Sequence, residues 1–517
     1  MRRYLYMGVF FAGCTSLAVE LSASRLLGNY FGSSNLVWAA IIGLILIYLS
    51  VGYTLGGKWA DRSPEYRTFF SILLWAALCI GLVPLVSRPI LRLASQAFDE
   101  MRMAGLFGSF AAVLALFSLP VILLGTASPF AIRLAMDDTQ KSGSVAGKIY
   151  TISTLGSFIG TFLPVILLIP AIGTYKTFVT LSAMLMAAAF LGLWKTVNLK
   201  SVLKFIWMPL VLAVATFFGI RGMDKTASNV IYEGESAYNY IQVQEINGFR
   251  ILRLNEGQGV HSIYHPTQDI YRGPWEQVLA APYFYDPSTE PQEVQQVAIL
   301  GLAAGTSANQ VVSVYPSAKI DGFEIDPEIV EIGYSYFNMN KTNLEVFTED
   351  ARVGIAHSSQ TYDIISVDAY RPPYIPWHLT TREFFQQTYD HLSDKGSLVI
   401  NVARIFNDRR LVDALYMTIA SVFPSAYVVD IPDTLNSVIY ATKMATRSEN
   451  LITNYVAIDK TKVMPGLLRY AMETAILNLQ PAPKDGIILT DDLAPVEWIT
   501  NAMIFDLFFS GNVEELQ

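Results

Sequence analysis

The stretch that decides the fold reads V-A-I-L-G-L-A-A-G-T-S-A over residues 297–308 and K-I-D-G-F-E-I-D-P over residues 319–327. Both apolar runs predict β-strands, and the first ends in a loop with Gly301 and Gly305. Glycine lets a backbone turn tightly and approach a ligand closely. Glu324 lies at the carboxyl end of the second strand, where ligands bind to parallel sheets. The stretch favours a nucleoside-binding βαβ unit, with Glu324 on the ribose hydroxyls, over a plain turn with a surface glutamate.

The composition divides the chain into a membrane part and a soluble part. Of its 517 residues, 52% are hydrophobic and only 15% are charged, which is too apolar for an ordinary soluble protein. We predict a transmembrane domain over residues 1–222, a β-hairpin layer followed by a short entry helix over 226–290, and a nucleoside-binding domain over 291–517. The net charge of −8, without a strong basic block, argues against nucleic acid as a partner.

Seven stretches are long and apolar enough to be transmembrane helices. They are residues 5–27, 36–56, 69–87, 107–130, 152–170, 177–194 and 205–220. We therefore predict a multi-pass protein of the cell membrane, with the lipid bilayer as a partner and the soluble part in the cytoplasm. The lysine and arginine bias puts the N-terminus in the cytoplasm as well. The two expectations agree only for an even number of crossings, so the topology stays open.

Two charges lie inside the first apolar stretch, Glu20 and Arg25. A charge at membrane depth is costly, so it usually faces the protein interior or a polar cavity. One interpretation pairs Glu20 with Arg25 or with another helix. The other makes Glu20 face a substrate.

The soluble part alternates strands and helices. Strands are predicted near 297–301, 320–325, 344–348, 362–367, 397–402, 426–430 and 437–442, and helices near 306–314, 327–337, 380–393 and 408–423. This alternation predicts a mostly parallel sheet with helices on both faces. Ahead of it, the alternating residues 240–245 and the Asn247-Gly248 pair predict a β-hairpin.

Acidic residues follow three successive strands of this pattern. Asp350 and Asp368 join Glu324, and strand ends of a parallel sheet converge on one crevice. Asp350 is suited to accept a hydrogen bond from an adenine amino group, although each acid alone is equally typical of a helix cap or a loop. His261 and His265 are followed by proline and lack a carboxylate ligand pattern, so we predict no metal.

With these motifs, the chain resembles the spermidine synthase (polyamine aminopropyltransferase) family, in its membrane-fused bacterial branch. The resemblance is carried by E-Q-V-L-A-A-P from Glu276, E-I-D-P from Glu324, E-D-A from Glu349, D-x-x-x-P from Asp368, L-T-T-R-E-F-F from Leu379 and L-T-D-D-L-A-P-V-E from Leu489. It implies a Rossmann-like class I methyltransferase fold with an N-terminal β-hairpin layer. It also implies S-adenosylmethionine or its decarboxylated form as co-substrate.

The resemblance further implies a role for each matching residue. Asp368 is expected to be the catalytic base. The residues expected to bind the co-substrate are Gly301, Ala304, Gly305, Glu324, Ile325, Asp326, Asp350 and Ala351. The residues expected to bind the acceptor are Tyr370, Arg371, Trp377 and Glu276. Soluble relatives form oligomers, so a homodimer is a further expectation.

Two departures from the family pattern affect the expected substrate. The family's G-G-G-D-G loop reads G-L-A-A-G here, with Ala304 in place of the acid that pairs with the donor's amine. The family's D-S-S-D-P loop reads D-A-Y-R-P, with Arg371 in place of a second acid. A cationic polyamine would lose roughly 2–5 kcal/mol for each lost buried charge partner. Arg371 suits an anionic group instead, such as the carboxylate of intact S-adenosylmethionine or a phosphate.

Three functions remain open at this point. The first is an integral membrane transferase that alkylates an amine or amphipathic acceptor from an S-adenosyl donor. The second is a non-catalytic nucleoside-binding module that regulates a transporter-like membrane domain. The third is a polyamine aminopropyltransferase with altered recognition.

Overall fold

The computed structural model of the protein describes residues 1–31, 35–99, 104–136, 142–219, 229–255, 259–286, 294–370, 374–405, 408–461 and 464–509. The chain forms two compact units. The first contains Met1–Ala227 and Glu235–Ala237, and the second contains Ser228–Gly234 and Tyr238–Gln517.

The first unit is built of helices. They are α1 (Arg2–Phe31), α2 (Asn35–Arg62), α3 (Tyr66–Asp99), α4 (Ala104–Gly125), α5 (Ala127–Ala135), α6 (Ser142–Phe162), α7 (Ile169–Ile172), α8 (Thr174–Thr196), α9 (Leu199–Leu203) and α10 (Trp207–Gly219). Within the described ranges, seven helical segments are long and apolar enough to cross a membrane. They are Arg2–Phe31, Val37–Arg62, Tyr66–Ala94, Phe110–Ala135, Ser142–Ile172, Thr174–Thr196 and Leu199–Gly219. Each stretch predicted from the sequence overlaps one of them.

Glycines bring the backbones of α1 and α6 into contact. A Cβ atom at Gly156 would lie 2.1 Å from the carbonyl oxygen of Phe10, and one at Gly160 would lie 2.0 Å from that of Cys14. Small residues permit this close approach where lipid supplies no hydrophobic driving force between helices. After Phe162 the helix continues as one π-helical turn, Leu163–Leu168, which contains Pro164. Proline lacks the N–H that an α-helical hydrogen bond needs, so the regular ladder ends there.

The second unit begins with a four-stranded sheet. Its strands β1 (Val230–Glu235), β2 (Tyr240–Ile246), β3 (Phe249–Leu254) and β4 (Ser262–Tyr264) lie in the order β1-β2-β3-β4. The predicted hairpin joins β2 and β3, and both turn residues have positive φ, 53° at Asn247 and 85° at Gly248. Asparagine and glycine tolerate that conformation better than other residues.

The main sheet has eight strands among the described residues. They are β5 (Gln296–Leu300), β6 (Lys319–Phe323), β7 (Leu344–Phe347), β8 (Tyr362–Val367), β9 (Leu392–Ala403), β10 (Ser425–Asp430), β11 (Asn436–Thr442) and β12 (Leu479–Gln480), in the order β12-β10-β11-β9-β8-β5-β6-β7. Strands β5–β9 are parallel to one another, whereas β10, β11 and β12 pair antiparallel. The predicted Rossmann-like fold is confirmed. The antiparallel edge follows from the short β10–β11 turn, because parallel neighbours need a longer crossover.

Helices cover both faces of this sheet. They are α11 (Thr306–Val314), α12 (Pro327–Tyr336), α13 (Ala351–His357), α14 (Arg382–Asp390), α15 (Arg410–Ala420), α16 (Glu449–Thr461), α17 (Gly466–Leu477) and α18 (Val496–Phe509), with 3₁₀ turns at Trp275–Phe284 and Trp377–Leu379. Alternate residues of β5 pack into two different hydrophobic clusters. Val297 and Ile299 pack in one apolar cluster, and Ala298 and Leu300 in the other. A parallel strand that is buried on both faces is apolar throughout, which is why the run at 297–300 could be recognised.

Candidate functional site

The crevice of the second unit lies where the strand order reverses. After β5 the chain adds β6 and β7 on one side, and it then returns to the other side of β5 with β8. Such a reversal leaves an open crevice at the carboxyl ends of the strands. Gly301 follows β5, Glu324 follows β6, Asp350 lies beyond β7, and Asp368 follows β8. The fold therefore brings these four predicted residues to one edge of the sheet.

Gly301 allows two loops to touch. Its φ is +92°, and an added Cβ would lie 2.5 Å from the amide nitrogen of Ala369 and 2.7 Å from the carbonyl carbon of Asp368. The loop after β8 thus passes directly against the loop after β5. Only a residue without a side chain fits both the backbone conformation and the contact.

Glu324 is held by the glycine-rich loop. Its carboxylate accepts hydrogen bonds from the amides of Ala303, at 2.9 Å, and Asp326, at 3.1 Å. Burial raises the pKa of Glu324 to about 7, although these two backbone hydrogen bonds act in the opposite direction. A carboxylate oxygen has more than one lone pair, so both oxygens can still accept from a ribose diol.

Asp368 lines a small cavity together with both apolar and polar residues. Among the lining residues are Trp275, Val278, Val399 and Val438. Burial raises the pKa of Asp368 to about 7, because a low-polarity environment disfavours the charged form.

Asn401 is a polar residue of this site that we did not predict. It lies in β9, and its side-chain Nδ2 donates a 2.9 Å hydrogen bond to Oδ1 of Asp368. Within the part of the chain that the structure describes, no hydrogen bond reaches Oδ2 of Asp368. The signal in the sequence was weak, since an asparagine in an apolar strand has no motif of its own.

Tyr370 ties the loop after β8 to β9. Its hydroxyl accepts from the amide of Ala403, at 2.7 Å, and donates to the carbonyl of Asn401, at 3.2 Å. Burial raises its pKa. Because both hydrogen bonds of the hydroxyl go to β9, Tyr370 holds the loop in place. Only its ring can contribute to an acceptor pocket. Trp377 is half-exposed, and Arg371 lies outside the described residues.

Asp350 has two structural partners. Its Oδ1 caps α13 by accepting from the amides of Arg352, at 2.9 Å, and Val353, at 3.1 Å. Its Oδ2 lies 3.0 Å from Nε2 of His378, and this hydrogen bond lowers the pKa of Asp350. Ala351 is buried at the start of α13. Any adenine contact by Asp350 therefore shares the carboxylate with His378.

The C-terminal tail braces this side of the crevice. Asp491 binds the Arg352 guanidinium through both oxygens, at 2.8 and 2.7 Å, and accepts from the hydroxyl of Thr381, at 2.7 Å. Arg352 also donates to the carbonyl of His378, at 3.0 Å. Such bidentate pairs are geometrically specific. The network gives the tail a structural role that the sequence did not reveal.

Two residues expected to bind the co-substrate point elsewhere. Ala304 is fully buried in an apolar cluster with Ile241 and Phe337, and its amide donates to the Ser262 hydroxyl at 2.9 Å. Asp326 is also fully buried, where it caps α12 and accepts from Asn239 at 2.8 Å. Both side chains therefore serve the fold. An acid at position 304 would be an unpaired charge in this cluster, which accounts for the alanine. Ile325, in contrast, is 41% exposed beside Glu324.

Glu276 likewise serves the fold. Its carboxylate is fully buried and accepts hydrogen bonds from three consecutive amides, those of Tyr271, Arg272 and Gly273. These contacts hold the loop before the 3₁₀ turn, and the role of Glu276 in acceptor binding stays a prediction. Among the residues that the structure describes, no group of three or more histidine, cysteine, aspartate or glutamate side chains could hold a metal ion.

Comparison with known proteins agrees with this architecture. Residues 281–454 match the family model of the spermine/spermidine synthase domain. A probable polyamine aminopropyl transferase of Bifidobacterium longum is 30% identical over 315 residues, which cover 58% of this chain and 69% of that protein. A polyamine aminopropyltransferase of Vibrio vulnificus is 30% identical over 279 residues, which cover 52% of this chain and 90% of the relative.

A search of solved structures found a similar chain. It is a probable spermidine synthase from Corynebacterium glutamicum, 19% identical, with a TM-score of 0.38; the match covers 51% of this chain and 98% of that one. The sequence identity to the two relatives, over more than two thirds of the length of each, shows that this chain belongs to the spermine/spermidine synthase family, the polyamine aminopropyltransferases.

Proposed function

We propose that this protein is an integral membrane transferase that alkylates an amine, by aminopropylation or methylation, from an S-adenosyl donor. The observation that supports the proposal is Asp368, which the resemblance matches to the catalytic loop of the family. Among the described residues one of its carboxylate oxygens accepts no hydrogen bond, and burial raises its pKa to about 7. A carboxyl group that titrates near neutral pH is suited to accept a proton during turnover.

The proposed reaction transfers an alkyl carbon from sulfur to nitrogen. Asp368 accepts a proton from the acceptor's ammonium group, and the nitrogen lone pair attacks the carbon bonded to the donor's sulfonium. The new C–N bond forms as the C–S bond breaks, and its electrons neutralise the sulfonium as a thioether. The sulfonium is already an activated leaving group, so the protein mainly has to align the two partners. Asn401 holds the base for this alignment, and Glu324 holds the ribose.

The donor's amine has no acidic partner at position 304 in this chain. The family acid is replaced by Ala304, whose side chain is buried away from the crevice. We therefore propose that recognition of the donor rests on the nucleoside, with Glu324 on the ribose and Asp350 on the adenine. This leaves both S-adenosylmethionine and its decarboxylated form as co-substrates, with Arg371 as the candidate partner of a carboxylate.

Calorimetric titration of the full chain in lipid nanodiscs tests the function. The ligands are S-adenosylmethionine, decarboxylated S-adenosylmethionine and methylthioadenosine. We expect all three to bind within about tenfold of one another, because loss of a charge partner removes a few kcal/mol of discrimination. Glu324→Gln should weaken all three equally. A preference above about 100-fold for the decarboxylated form would show that its amine has another acidic partner. Failure of the folded protein to bind any of the three would contradict the proposal.

A non-catalytic nucleoside-binding module remains the second candidate function. The loss of the acid at position 304 is the observation that favours it. The module would bind the same ligands, but it would transfer no alkyl group to any amine. Retention of Asp368 favours the enzyme, since a binding module does not need a base.

We further propose that the first unit spans the cell membrane, with the soluble unit in the cytoplasm, where the donor is made. The seven long apolar helical segments support the membrane location of the first unit. They do not fix the side of the membrane on which the soluble unit lies. The acceptor is then a small or amphipathic amine, and a homodimer remains possible for a family whose soluble members form oligomers. Alkaline carbonate extraction of isolated membranes should leave the full chain in the pellet. Its release into the supernatant would contradict the membrane-spanning assignment.

A further inference from the structure

The cavity beside Asp368 has a floor that consists of one face of the main sheet. Ser366 of β8 is paired with Val399 of β9, and Asn401 lies two residues further along β9, on the same face. Val438 of β11 is paired with Asn401. All four line the cavity together with Asp368, which Asn401 binds at 2.9 Å. The strand register thus places these side chains next to one another.

The 3₁₀ turn that begins at Trp275 and helix α11 cover this floor. The residues that line the cavity from these elements are Pro274, Trp275, Val278 and Ser307. The space for the centre of a water-sized group is about 10 Å³, which is room for one such group. A terminal NH₃⁺ group is about that size, whereas an alkyl chain is larger. The cavity can therefore take the nitrogen end of an amine while the rest of the molecule stays outside.

Asn401 supplies the cavity with a buried acceptor. Its Oδ1 accepts no hydrogen bond from any residue that the structure describes. Other buried polar atoms of the second unit share that property, but among them Asn401 is the residue that lines this cavity and also binds Asp368. The hydroxyl of Ser366, which is 3% exposed, forms no hydrogen bond within the described ranges either. A buried acceptor without a donor is costly, so these two oxygens favour a ligand that brings N–H groups.

The lining of the cavity carries a single ionisable group among the described residues, the carboxyl of Asp368. The other lining side chains are apolar, hydroxyl or amide groups. The second ammonium group of a diamine would find no charge partner there, and an unpaired charge in such surroundings is costly. A diamine therefore gains nothing from its second ammonium group in this cavity.

We propose that the protein recognises its acceptor by one primary ammonium group, held in this cavity by Asp368, Asn401 and Ser366, so that monoamines are acceptors as good as diamines. An R–NH₃⁺ group has three N–H donors, and each of the three side chains offers one oxygen. Asp368 takes one proton, and the two N–H groups that remain donate to Asn401 and Ser366 while the nitrogen forms its bond to the donor carbon. A second substituent on the nitrogen exceeds the space, so the secondary amine that is produced is not alkylated again. The inference rests on the proposed function, because it takes Asp368 as the base.

Three amines that differ in one feature each test this recognition. The full chain in nanodiscs, saturated with methylthioadenosine, is titrated calorimetrically with butylamine, 1,4-diaminobutane and N-methylbutylamine. We expect the first two to bind within about threefold of each other, and N-methylbutylamine to bind about tenfold more weakly or worse. A preference for the diamine above about tenfold, or equal binding of N-methylbutylamine, would overturn the proposal.

Transfer to the same amines separates this inference from the proposed function. Mass spectrometry of the products formed with an S-adenosyl donor should show one added alkyl group per nitrogen. Selective binding of primary amines without transfer to any of them would contradict the proposed function and leave the ammonium site intact. Transfer to butylamine and N-methylbutylamine at equal rates would contradict the ammonium site and leave the proposed function intact.

Two variants of the cavity test the size limit and the acceptor oxygen. Val438→Ala removes methyl groups opposite Asn401 and should strengthen binding of N-methylbutylamine by about fivefold or more, a gain that a misfolded protein cannot show. Ser366→Ala should weaken butylamine by about tenfold, because one acceptor is lost.

Val297→Ala is the matched control for both variants. Val297 lies near the start of β5, is as buried as Val438 and belongs to the same hydrophobic cluster, but it does not line the cavity. Its replacement should leave the affinities for all three amines unchanged. If Val438→Ala and Ser366→Ala also left them unchanged, the cavity would hold only a water molecule, and the proposal would be wrong.

Discussion

Replacing Asp368 with asparagine should lower the rate of alkyl transfer by about 10²–10⁴-fold, which is the usual contribution of a positioned acid or base. Donor affinity should change little, because Glu324 and the loop at Gly301 form the nucleoside side of the crevice. Asparagine has nearly the same shape and still offers an oxygen to Asn401. The loss would therefore report the missing base and not a collapsed site. Transfer assays and calorimetry on the same nanodisc preparation measure the two effects.

The control is Asp394→Asn. It makes the same chemical change at an exposed position near the start of β9, at the opposite edge of the sheet from Asp368. Its activity should equal that of the unmodified protein. If Asp368→Asn retained full turnover, the enzyme hypothesis in its present form would fail. If the unmodified protein bound the donors but transferred nothing to any amine, the binding-module hypothesis would replace it.

The pH dependence of the unmodified protein should identify the same group. With the pKa of Asp368 raised to about 7, the fraction in the basic form increases as pH rises towards 7 and is constant above it. The transfer rate should therefore rise tenfold per pH unit below about pH 7 and level off above. A rate that is flat between pH 5 and 8 would contradict a role for this carboxylate as the base.

The stability of the folded protein should fall over the pH range in which the transfer rate rises. Because the folded-state pKa of Asp368 lies above its unfolded value, the folded protein binds more protons between these two values, and stability falls as pH rises through that window. The ionised carboxylate is thus destabilising at pH 8. At pH 8, Asp368→Asn should therefore raise the free energy of unfolding of the soluble unit by about 1–4 kcal/mol. Contact of the carboxylate with solvent reduces the gain within this range. Lower activity together with higher stability is a pattern that a purely structural residue would not give.

Replacing Gly301 with alanine should abolish donor binding and transfer together. The added Cβ would lie 2.5–2.7 Å from backbone atoms of Ala369 and Asp368, and φ at this position is +92°. The left-handed conformation alone costs an alanine about 1–2 kcal/mol, and the backbone contact cannot be relieved by a rotamer change. The loop after β8 must therefore move and carry Asp368 with it. A displacement of about 1 Å can reduce a rate by 10²-fold.

Donor affinity in Gly301→Ala should fall by about 100-fold or more, as measured by calorimetry, with a lower melting temperature. Gly466→Ala is the matched control. Gly466 begins α17, and an added Cβ would meet no atom within 4 Å. Its donor affinity and turnover should stay unchanged. If Gly301→Ala kept both values within about threefold, the contact between the two loops would not be required for function.

The sequence by itself determined which segments form most of the strands and at which end of them the site lies. The apolar runs that became β5, β6 and β8 are local, and each ends at the residue that the site uses, namely Gly301, Glu324 or Asp368. Helix α13 was not predicted, because seven residues show too little periodicity. The hairpin at Asn247 was recognisable because its turn conformation depends on two adjacent residues.

Only the tertiary structure decided which polar groups face the crevice. Glu276 and Asp326 have the side-chain type and the sequence position expected of ligand-binding residues. Their buried carboxylates, however, already accept hydrogen bonds from amide groups of the protein. Asn401 lies in the site, and Asp491 holds one side of the crevice in place. No local sequence pattern predicted either role. The reason is that a hydrogen-bonding group becomes a ligand contact only if no distant part of the chain satisfies it first. Periodicity along the chain determines strands and helices. Which donor pairs with which acceptor depends on residues that meet only after folding.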